Sequence, residues 1–252
     1  MPSLEHPQSG HRCLDPASRL QKATKIERLL SSSCDLTGAC VLDVGAGAGF
    51  VAATLADTVG PGGEVWGVDV EDERQITQGF SFRLVSGTGL PFEDAAFDAV
   101  VSNHVIEHVG SGADQLHHLS EIRRVLKPGG WCYLATPNRW TIIEPHFKLP
   151  FLSWLPGRWP SAYVRLVRRG SVYDCNVLAR RQLRALFRSV GLEAHDRTID
   201  AMRVMADVES KSGATRVALT APEPLIRLAY PILPTLVFVL RRPADRGDTL
   251  VQ

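Results

Sequence analysis

Residues 41–50 read VLDVGAGAGF, a short apolar strand that ends in three glycines at alternate positions and then opens a helix. Glycine tolerates a positive φ and carries no side chain, so the backbone at such a turn can approach a ligand closely. The helix that follows offers unpaired N–H groups in its first turn. The stretch therefore predicts a nucleotide-binding turn at the end of the first strand.

Two details separate this turn from a dinucleotide site. The pattern G-x-G-x-x-G needs glycine at the position of Phe50, and Asp43 lies two residues before Gly45. A dinucleotide places its pyrophosphate on the helix N-terminus, whereas S-adenosylmethionine (SAM) has no phosphate and carries a cationic amino group and a sulfonium. Because an acid beside the turn attracts a cation, the residues favour SAM over NAD.

A second apolar strand, residues 64–68, ends at Asp69, twenty residues beyond Gly49. An acid at the end of this strand is placed to accept hydrogen bonds from both ribose hydroxyls. A solvated aspartate at a strand end is the alternative, and the matching glycine turn favours the ribose interpretation.

Five short motifs follow in order between about residues 41 and 138. They are DVGAG (43–47), VD (68–69), LPF followed by FD (90–98), IEHV (106–109) and LKPGG (126–130). Together they resemble class I SAM-dependent methyltransferases, most of all the small-molecule subgroup that includes ubiquinone-pathway O-methyltransferases. The resemblance implies an α/β Rossmann-like fold: a seven-stranded, mostly parallel sheet with helices on both faces and a lid insertion after strand five. Such a fold does not by itself fix the substrate.

The cofactor is expected at the carboxyl ends of the strands. In the family an aspartate commonly receives the adenine amino group where this chain has Ser86, whose hydroxyl can accept the same N–H. A purely structural turn is the alternative at this position. The residues that we predict to bind the cofactor are Asp43, Gly45, Ala46, Gly47, Gly49, Asp69, Val70, Ser86, Gly87, Thr88 and Asn103.

Methyl transfer needs an acceptor atom held in line with the sulfonium methyl, and a hydroxyl acceptor also needs a base or a metal ion to remove its proton. The predicted catalytic residues are Glu107, His108 and His146. Some ubiquinone-pathway methyltransferases are expected to hold a divalent ion with two glutamates and a histidine on the turn after strand four. Here Glu107 and His108 match, while His104 replaces the first glutamate and would favour a transition metal. The alternative is that His108 packs beside the cofactor without a metal, and no metal ligand is assigned.

Residues 137–175 are rich in aromatic and basic side chains. Three of the five tryptophans, Trp140, Trp154 and Trp159, lie there, and six basic residues stand against two acidic ones. Such a segment after a carboxyl-edge strand suggests a lid over a hydrophobic or anionic acceptor, with peripheral membrane contact left open. The alternative is an ordinary cap whose aromatic residues complete the core.

The remaining pattern gives the layout of the chain. Residues 1–14 are expected to form a flexible arm, and residues 15–252 a methyltransferase domain. Helices are predicted from Asp15-Pro16 to about 33 and near 48–58, 71–78, 112–127 and 179–190. Strands are predicted near 39–44, 64–68, 81–85, 97–102, 131–136 and 192–199, with a last strand at 235–240 that the resemblance makes antiparallel.

Composition narrows the class of protein. A net charge of +1 over 252 residues provides no general field for nucleic acid. Five scattered cysteines without metal spacing read as reduced thiols, and the polar N-terminus with Glu5 is unlike a signal peptide. Residues 225–240 are interrupted by Arg227, Pro231 and Pro234, so we expect no membrane span there. The expected location is cytoplasmic.

We interpret the chain as an enzyme that methylates oxygen on a small or lipid-like acceptor, with a quinone-type phenol, a glycolipid or a saccharide hydroxyl as examples. Methylation of nitrogen or carbon is the second enzymatic interpretation. Enzymes that methylate exocyclic amines of DNA often carry Asn/Asp-Pro-Pro-Tyr after strand four, where residues 102–105 of this chain read SNHV. This difference counts against a DNA-amine methyltransferase. A SAM-binding module without catalysis is the alternative from another class, and an RNA-binding role is disfavoured by the charge. Neither the acceptor nor the oligomeric state follows from the sequence.

Overall fold

The computed structural model describes residues 15–208, 226 and 228–244. The predicted arm at 1–14 lies outside these residues. The helices are α1 (Pro16–Ser31), α2 (Phe50–Val59), α3 (Gly112–Val125), α4 (Trp159–Leu166), α5 (Arg180–Ser189) and α6 (Thr198–Val208). The strands are β1 (Cys40–Val44), β2 (Glu64–Asp69), β3 (Ser81–Leu84), β4 (Phe97–Asn103), β5 (Leu126–Pro137), β6 (Ile143–Glu144), β7 (Leu149–Pro150), β8 (Glu193–Asp196) and β9 (Thr235–Arg241).

The main sheet has seven strands in the order β3-β2-β1-β4-β5-β9-β8. The first five strands pair in parallel, and β9 pairs antiparallel with both β5 and β8. This arrangement confirms the predicted sheet, including the antiparallel last strand. Since β1 lies beside both β2 and β4, the glycine turn stands where the strand order reverses, which is where open α/β sheets bind ligands.

Helices cover both faces of this sheet. Leu42 of β1 belongs to one buried cluster with residues of α3 and α5, while the neighbouring Val41 belongs to a second cluster with α1 and α2. Successive strand residues point to opposite faces, so a strand that is buried on both sides reads as a continuous apolar run. The predicted cap of α1 is confirmed, because Asp15 accepts a hydrogen bond of 2.7 Å from the Ser18 N–H and Pro16 is the first helical residue.

The predicted helix at 71–78 is wrong. The backbone N–H groups of Gln75 and Ile76 both donate to the Ala48 carbonyl, at 3.0 and 3.1 Å, so this segment binds back onto the glycine turn. The Arg74 guanidinium also pairs with the Asp72 carboxylate at 2.8 Å. These contacts outweigh a local helical preference, which is a weak determinant of structure.

Two strand boundaries also differ from the prediction. Strand β5 begins at Leu126 rather than near 131, because Leu126 pairs with Phe97 before a shift of register in β4. Strand β8 ends at Asp196 rather than near 199. The Asp196 carboxylate accepts from the Thr198 N–H at 3.2 Å, and α6 begins at Thr198.

The 137–175 segment has its own secondary structure, the two-stranded pair β6-β7 and helix α4. A small buried cluster of Leu149, Leu152 and Val164 holds these parts together. Among the helices that the structure describes, none combines the length and the apolar character needed to cross a membrane.

Candidate functional site

A cavity of about 330 Å³ opens at the carboxyl ends of β1, β2 and β4. Its lining contains the predicted cofactor residues Gly45, Asp69, Val70, Gly87 and Thr88 and the predicted catalytic residue His108. The other lining residues are Val44, Val68, Val85, Leu90, His104, Val105, Val109 and His118. The cavity therefore has mostly apolar walls with polar groups at a few positions, which is the usual composition of a small-molecule site.

Two glycines of the turn, Gly45 and Gly49, leave no room for side chains. Gly45 has a φ of +77°, and a Cβ there would lie 2.4 Å from Val105 Cγ2. Gly49 has a φ of +86°, and its Cβ would lie 2.4 Å from the Ile76 carbonyl oxygen. Both positions combine a conformation that favours glycine with a contact that excludes larger residues.

Asp69 joins this turn to the end of β2. Its carboxylate accepts from the Gly47 N–H at 2.8 Å and from the Val70 N–H at 2.7 Å, one bond to each oxygen. A carboxylate oxygen can accept more than one hydrogen bond, so both oxygens retain capacity for ribose hydroxyls. The side chain of Asp69 lines the cavity, as the ribose interpretation requires.

Asp43 lies deeper than the predicted contact with a ligand would suggest. It is only 2% exposed and is absent from the cavity lining. Among the described residues, no donor lies within hydrogen-bond distance of its Oδ2. Burial raises the pKa of Asp43 well above its usual range, and the charge of Asp69 adds to this effect. A positively charged ligand nearby would stabilise the ionised form of Asp43. The position of its Oδ2 close to Asp69 is therefore consistent with the positive charge of SAM.

Other predicted cofactor residues do not line the cavity, namely Ala46, Gly47, Gly49, Ser86 and Asn103. His118 lines the cavity but was not predicted from the sequence. It lies within α3, whose helical pattern gives no indication of a binding site. Its Nε2 lies 3.1 Å from Ser102 Oγ. Burial lowers the pKa of His118 to about 4, so this imidazole is neutral at physiological pH.

Comparison with known proteins agrees with this geometry. A family model described as "Methyltransferase domain" matches residues 42–134, the span that holds the glycine turn, Asp69 and the strands around the cavity. The chain carries a class I SAM-dependent methyltransferase domain. The cofactor of this class is SAM.

Curated relatives of this methyltransferase domain include two quinone-pathway enzymes. The chain is 31% identical over 134 residues to demethylmenaquinone methyltransferase of Lactococcus lactis, which covers 48% of the chain and 52% of the relative. It is 27% identical over 208 residues to ubiquinone biosynthesis O-methyltransferase of Thiobacillus denitrificans, which covers 75% of the chain and 81% of the relative. The chain thus spans only about half the length of some curated relatives that it matches, as the Lactococcus protein illustrates.

Solved structures show the same fold. A SAM-dependent methyltransferase from Mesorhizobium loti matches with a TM-score of 0.59, covering 88% of this chain and 100% of the other at 13% identity. At this identity the likeness establishes the architecture of the methyltransferase domain alone.

Beside the cavity, the turn after β4 carries a buried carboxylate. Glu107 is fully buried and accepts from His104 Nδ1 at 3.1 Å and from the Thr136 hydroxyl at 3.0 Å. Burial raises the pKa of Glu107, but the hydrogen bond and charge of His104 outweigh it, so the pKa lies below its ordinary value. The turn from His104 to His108 was expected to be helical, with both histidines on one face, but it is non-helical and His104 has a φ of +60°. Both histidines nevertheless face the cavity.

The 137–175 segment brings a third histidine and a second carboxylate to the same place. His146 Nδ1 lies 2.6 Å from Oε1 of the fully buried Glu144, whose other oxygen accepts from the Phe147 N–H at 2.7 Å. The His146 and His108 rings are perpendicular, with centroids 5.2 Å apart. Burial alone would lower the pKa of His146, but the bond to Glu144 and the nearby acids raise it above the ordinary value. By contrast, burial lowers the pKa of His108.

Cys175 completes this group of side chains and was not predicted. Its Sγ lies 3.9 Å from His108 Nδ1, and burial raises the pKa of the thiol. Two sets of possible metal donors share His146, one with His108 and Cys175 and the other with His104 and Glu107. The set suggested by the sequence, His104 with Glu107 and His108, differs from both.

Proposed function

We propose that this chain transfers the methyl group of SAM to a hydroxyl oxygen of a small or lipid-like acceptor, such as a quinone-type phenol, a glycolipid or a saccharide. The observation that carries the proposal is the contact between His146, held by the buried Glu144, and His108 on the cavity wall. An unprotonated amine nitrogen is already nucleophilic and does not need such a buried proton acceptor, whereas a hydroxyl acceptor must lose its proton. The O-methyltransferase name of the Thiobacillus relative supports the same choice.

Each part of the site has a role in this reaction. When bound, SAM supplies a methyl group on a positively charged sulfur. Asp69 accepts hydrogen bonds from the ribose hydroxyls, and the apolar walls around Val105 exclude water. The acceptor oxygen would take this methyl group with the thioether as leaving group, and the hydroxyl proton would go to the pair His108 and His146. Glu144 stabilises the imidazolium that forms when His146 takes the proton.

We expect transfer of an isotope-labelled methyl group from SAM to at least one hydroxyl compound in a panel of phenols, saccharides and glycolipids. Nuclear magnetic resonance of the product would identify the methylated atom, since methyl groups on oxygen, nitrogen and carbon differ in chemical shift. A product methylated on nitrogen or carbon would overturn the choice of oxygen. Tight SAM binding without turnover on any acceptor would favour the non-catalytic module.

The outer surface of the 137–175 segment supports a lipid-like acceptor or a membrane-bound one. Its exposed apolar side chains include Trp140, Ile143, Phe151, Trp159 and Leu166, between 45% and 81% exposed. Exposed cations lie in the same segment, namely Lys148, Arg158, Arg165, Arg168 and Arg169. Exposed apolar side chains together with basic ones are typical of contact with anionic lipid. We propose that this surface lies against the acceptor or the membrane that carries it.

Replacement of Trp154 and Trp159 by alanine should weaken acceptor use or vesicle binding by roughly tenfold or more, because each indole buried in an apolar phase is stabilising. Affinity for SAM should stay nearly unchanged, since neither residue lines the cavity. Co-sedimentation with phosphatidylglycerol and phosphatidylcholine vesicles measures the first effect, and calorimetry the second. Leu20→Ala on α1 is the control, because Leu20 is 53% exposed but lies outside the segment.

Trp154 also donates its indole N–H to the Thr141 carbonyl at 2.8 Å, so the double variant tests packing as well. Trp159→Ala alone removes a side chain that is 65% exposed and separates the two effects. If the double variant unfolds and Trp159→Ala leaves acceptor use and vesicle binding intact, the aromatic residues belong to the core and the surface proposal is wrong.

A further inference from the structure

We propose that His108, His146 and Cys175 bind a zinc ion at the junction between the turn after β4 and the end of the 137–175 segment. One donor atom from each of these side chains lies within 4.8 Å of the other two. Two imidazoles and a thiolate are donors that zinc prefers. The binding claim stands apart from the methyl-transfer proposal, and only the role of the ion rests on the proposed function.

The spacing of the donors is close to that of a bound ion. Zinc–nitrogen bonds of about 2.0–2.1 Å and zinc–sulfur bonds of about 2.3 Å, arranged as a tetrahedron, separate the donor atoms by roughly 3.3–3.7 Å. Cys175 Sγ and His108 Nδ1 are 3.9 Å apart. A contraction of a few tenths of an ångström would bring this pair to the separation found around zinc, and the other pairs lie within 4.8 Å.

The surroundings of His146 resemble the support of a metal ligand. Histidines that bind metals usually give their other ring N–H to a carboxylate, which fixes the tautomer and makes the ligand nitrogen more basic. His146 Nδ1 makes this contact with Glu144 at 2.6 Å, so the electron pair of the neutral ring is on Nε2. Glu144 is itself held by the Phe147 N–H.

The backbone also fixes the cysteine against the histidine turn. The Asn176 N–H, next to Cys175, donates to the Glu107 carbonyl at 2.7 Å. The Gln115 side-chain amide donates to the Asn176 carbonyl at 2.8 Å and to the Ile106 carbonyl at 3.1 Å. The strand end, the turn and the cysteine are thus joined before any ion binds.

The second set of donors, His104 with Glu107 and His146, is the poorer choice. Both oxygens of Glu107 already accept hydrogen bonds, from His104 and from Thr136. A metal there would have to break the contact between His104 and Glu107. The cysteine set leaves the contact between His104 and Glu107 intact and displaces only long ones, the 3.9 Å approach of His146 Nε2 to Glu107 and the 3.7 Å contact of the thiol with Asp174. The thiol proton goes to solvent as the zinc–sulfur bond forms.

Three protein donors leave one position of a tetrahedral zinc ion for another ligand, which is the pattern of catalytic rather than structural sites. His108 lines the cavity, so that position is available to a molecule bound there. If the proposed function holds, the ion lowers the pKa of the coordinated acceptor hydroxyl, and the two histidines then act through the metal.

Zinc content is the direct test. The full chain, freed of any tag and treated with chelator, should bind one zinc ion per chain when reloaded, as measured by atomic mass spectrometry. Cys175→Ser and His146→Ala should each weaken zinc binding by more than about 100-fold, and Glu144→Gln by about 10–100-fold, in competition with a chromophoric chelator. Cobalt in place of zinc should give a thiolate-to-cobalt absorption band that Cys175→Ser abolishes. His195→Ala and Cys34→Ser are matched controls and should bind zinc normally.

Several outcomes would overturn the site: no stoichiometric zinc in the wild-type chain, wild-type affinity in both ligand variants, or affinity that falls only in His104→Ala and Glu107→Gln. SAM affinity and thermal unfolding of each variant show whether it folds, and Cys175→Ser is the mildest change if another variant does not. Zinc binding without methyl transfer would leave the site intact and refute the proposed function. Methyl transfer by a chain that binds no zinc would refute the zinc site and leave the proposed function intact.

Discussion

His146→Asn is expected to lower the turnover of methyl transfer by about 10²–10⁴-fold, the usual contribution of proton removal by a positioned side chain. Asparagine has nearly the same shape as histidine, but its amide does not accept a proton at neutral pH. The buried Glu144 would keep a hydrogen-bond donor, so the fold should survive. His108→Asn is expected to act in the same direction, because His108 lines the cavity and contacts His146.

The measurement is single-turnover methyl transfer to the acceptor found above, for each variant with and without chelator. His195→Asn is the matched control, since His195 lies on β8 and packs against Trp131 instead of the cavity. Loss of activity on chelation of the wild-type chain would place the histidines around a metal ion, and insensitivity to chelator would favour direct proton transfer. Full activity in both His146→Asn and His108→Asn would remove the histidines from the mechanism.

Asp69→Ala should weaken SAM binding by roughly 5–150-fold, equivalent to about 1–3 kcal/mol for ribose hydroxyls left without an acceptor. The same change removes the acceptor of the Gly47 and Val70 N–H groups, so the glycine turn would also lose a support. Titration calorimetry of the purified chain measures this effect without an acceptor.

Asp72→Ala is the control for the loss of one negative charge. Asp72 is an exposed carboxylate that pairs with Arg74 and is absent from the cavity lining. Its SAM affinity should equal that of the wild-type chain. An unchanged affinity in Asp69→Ala would refute the ribose contact, and tighter binding of NAD than of SAM by the wild-type chain would refute the cofactor assignment to this site.

The glycine turn and the acid at the end of β2 were predictable because their signals are local. Three glycines at a strand end need only their neighbours to define a turn, and an acid at the end of the next parallel strand must reach the same edge of the sheet. Asp69 is found there, bonded to the turn that the sequence identified. Asp43 was predicted from the same pattern, yet its burial separates it from the cavity, because side chains alternate between the faces of a strand.

The failed helix at 71–78 shows the opposite case. Its residues have acceptable helical propensity, but Gln75 and Ile76 donate to a carbonyl in the glycine turn more than twenty residues earlier. A hydrogen bond between distant segments leaves no periodic trace in the sequence. Local propensity is then overruled by contacts that form only when β1 and β2 lie side by side.

The amino-acid sequence by itself determined the parallel sheet, the glycine turn and the acid at the end of β2, because each depends on residue periodicity or on backbone chemistry within a few positions. Only the tertiary structure decided that Glu144, His146 and Cys175 meet His108 at the cavity wall. These residues belong to a segment whose path depends on its own small core and on its bonds to the turn after β4. Proximity between side chains so far apart in the chain is a property of packing, and no short pattern encodes it.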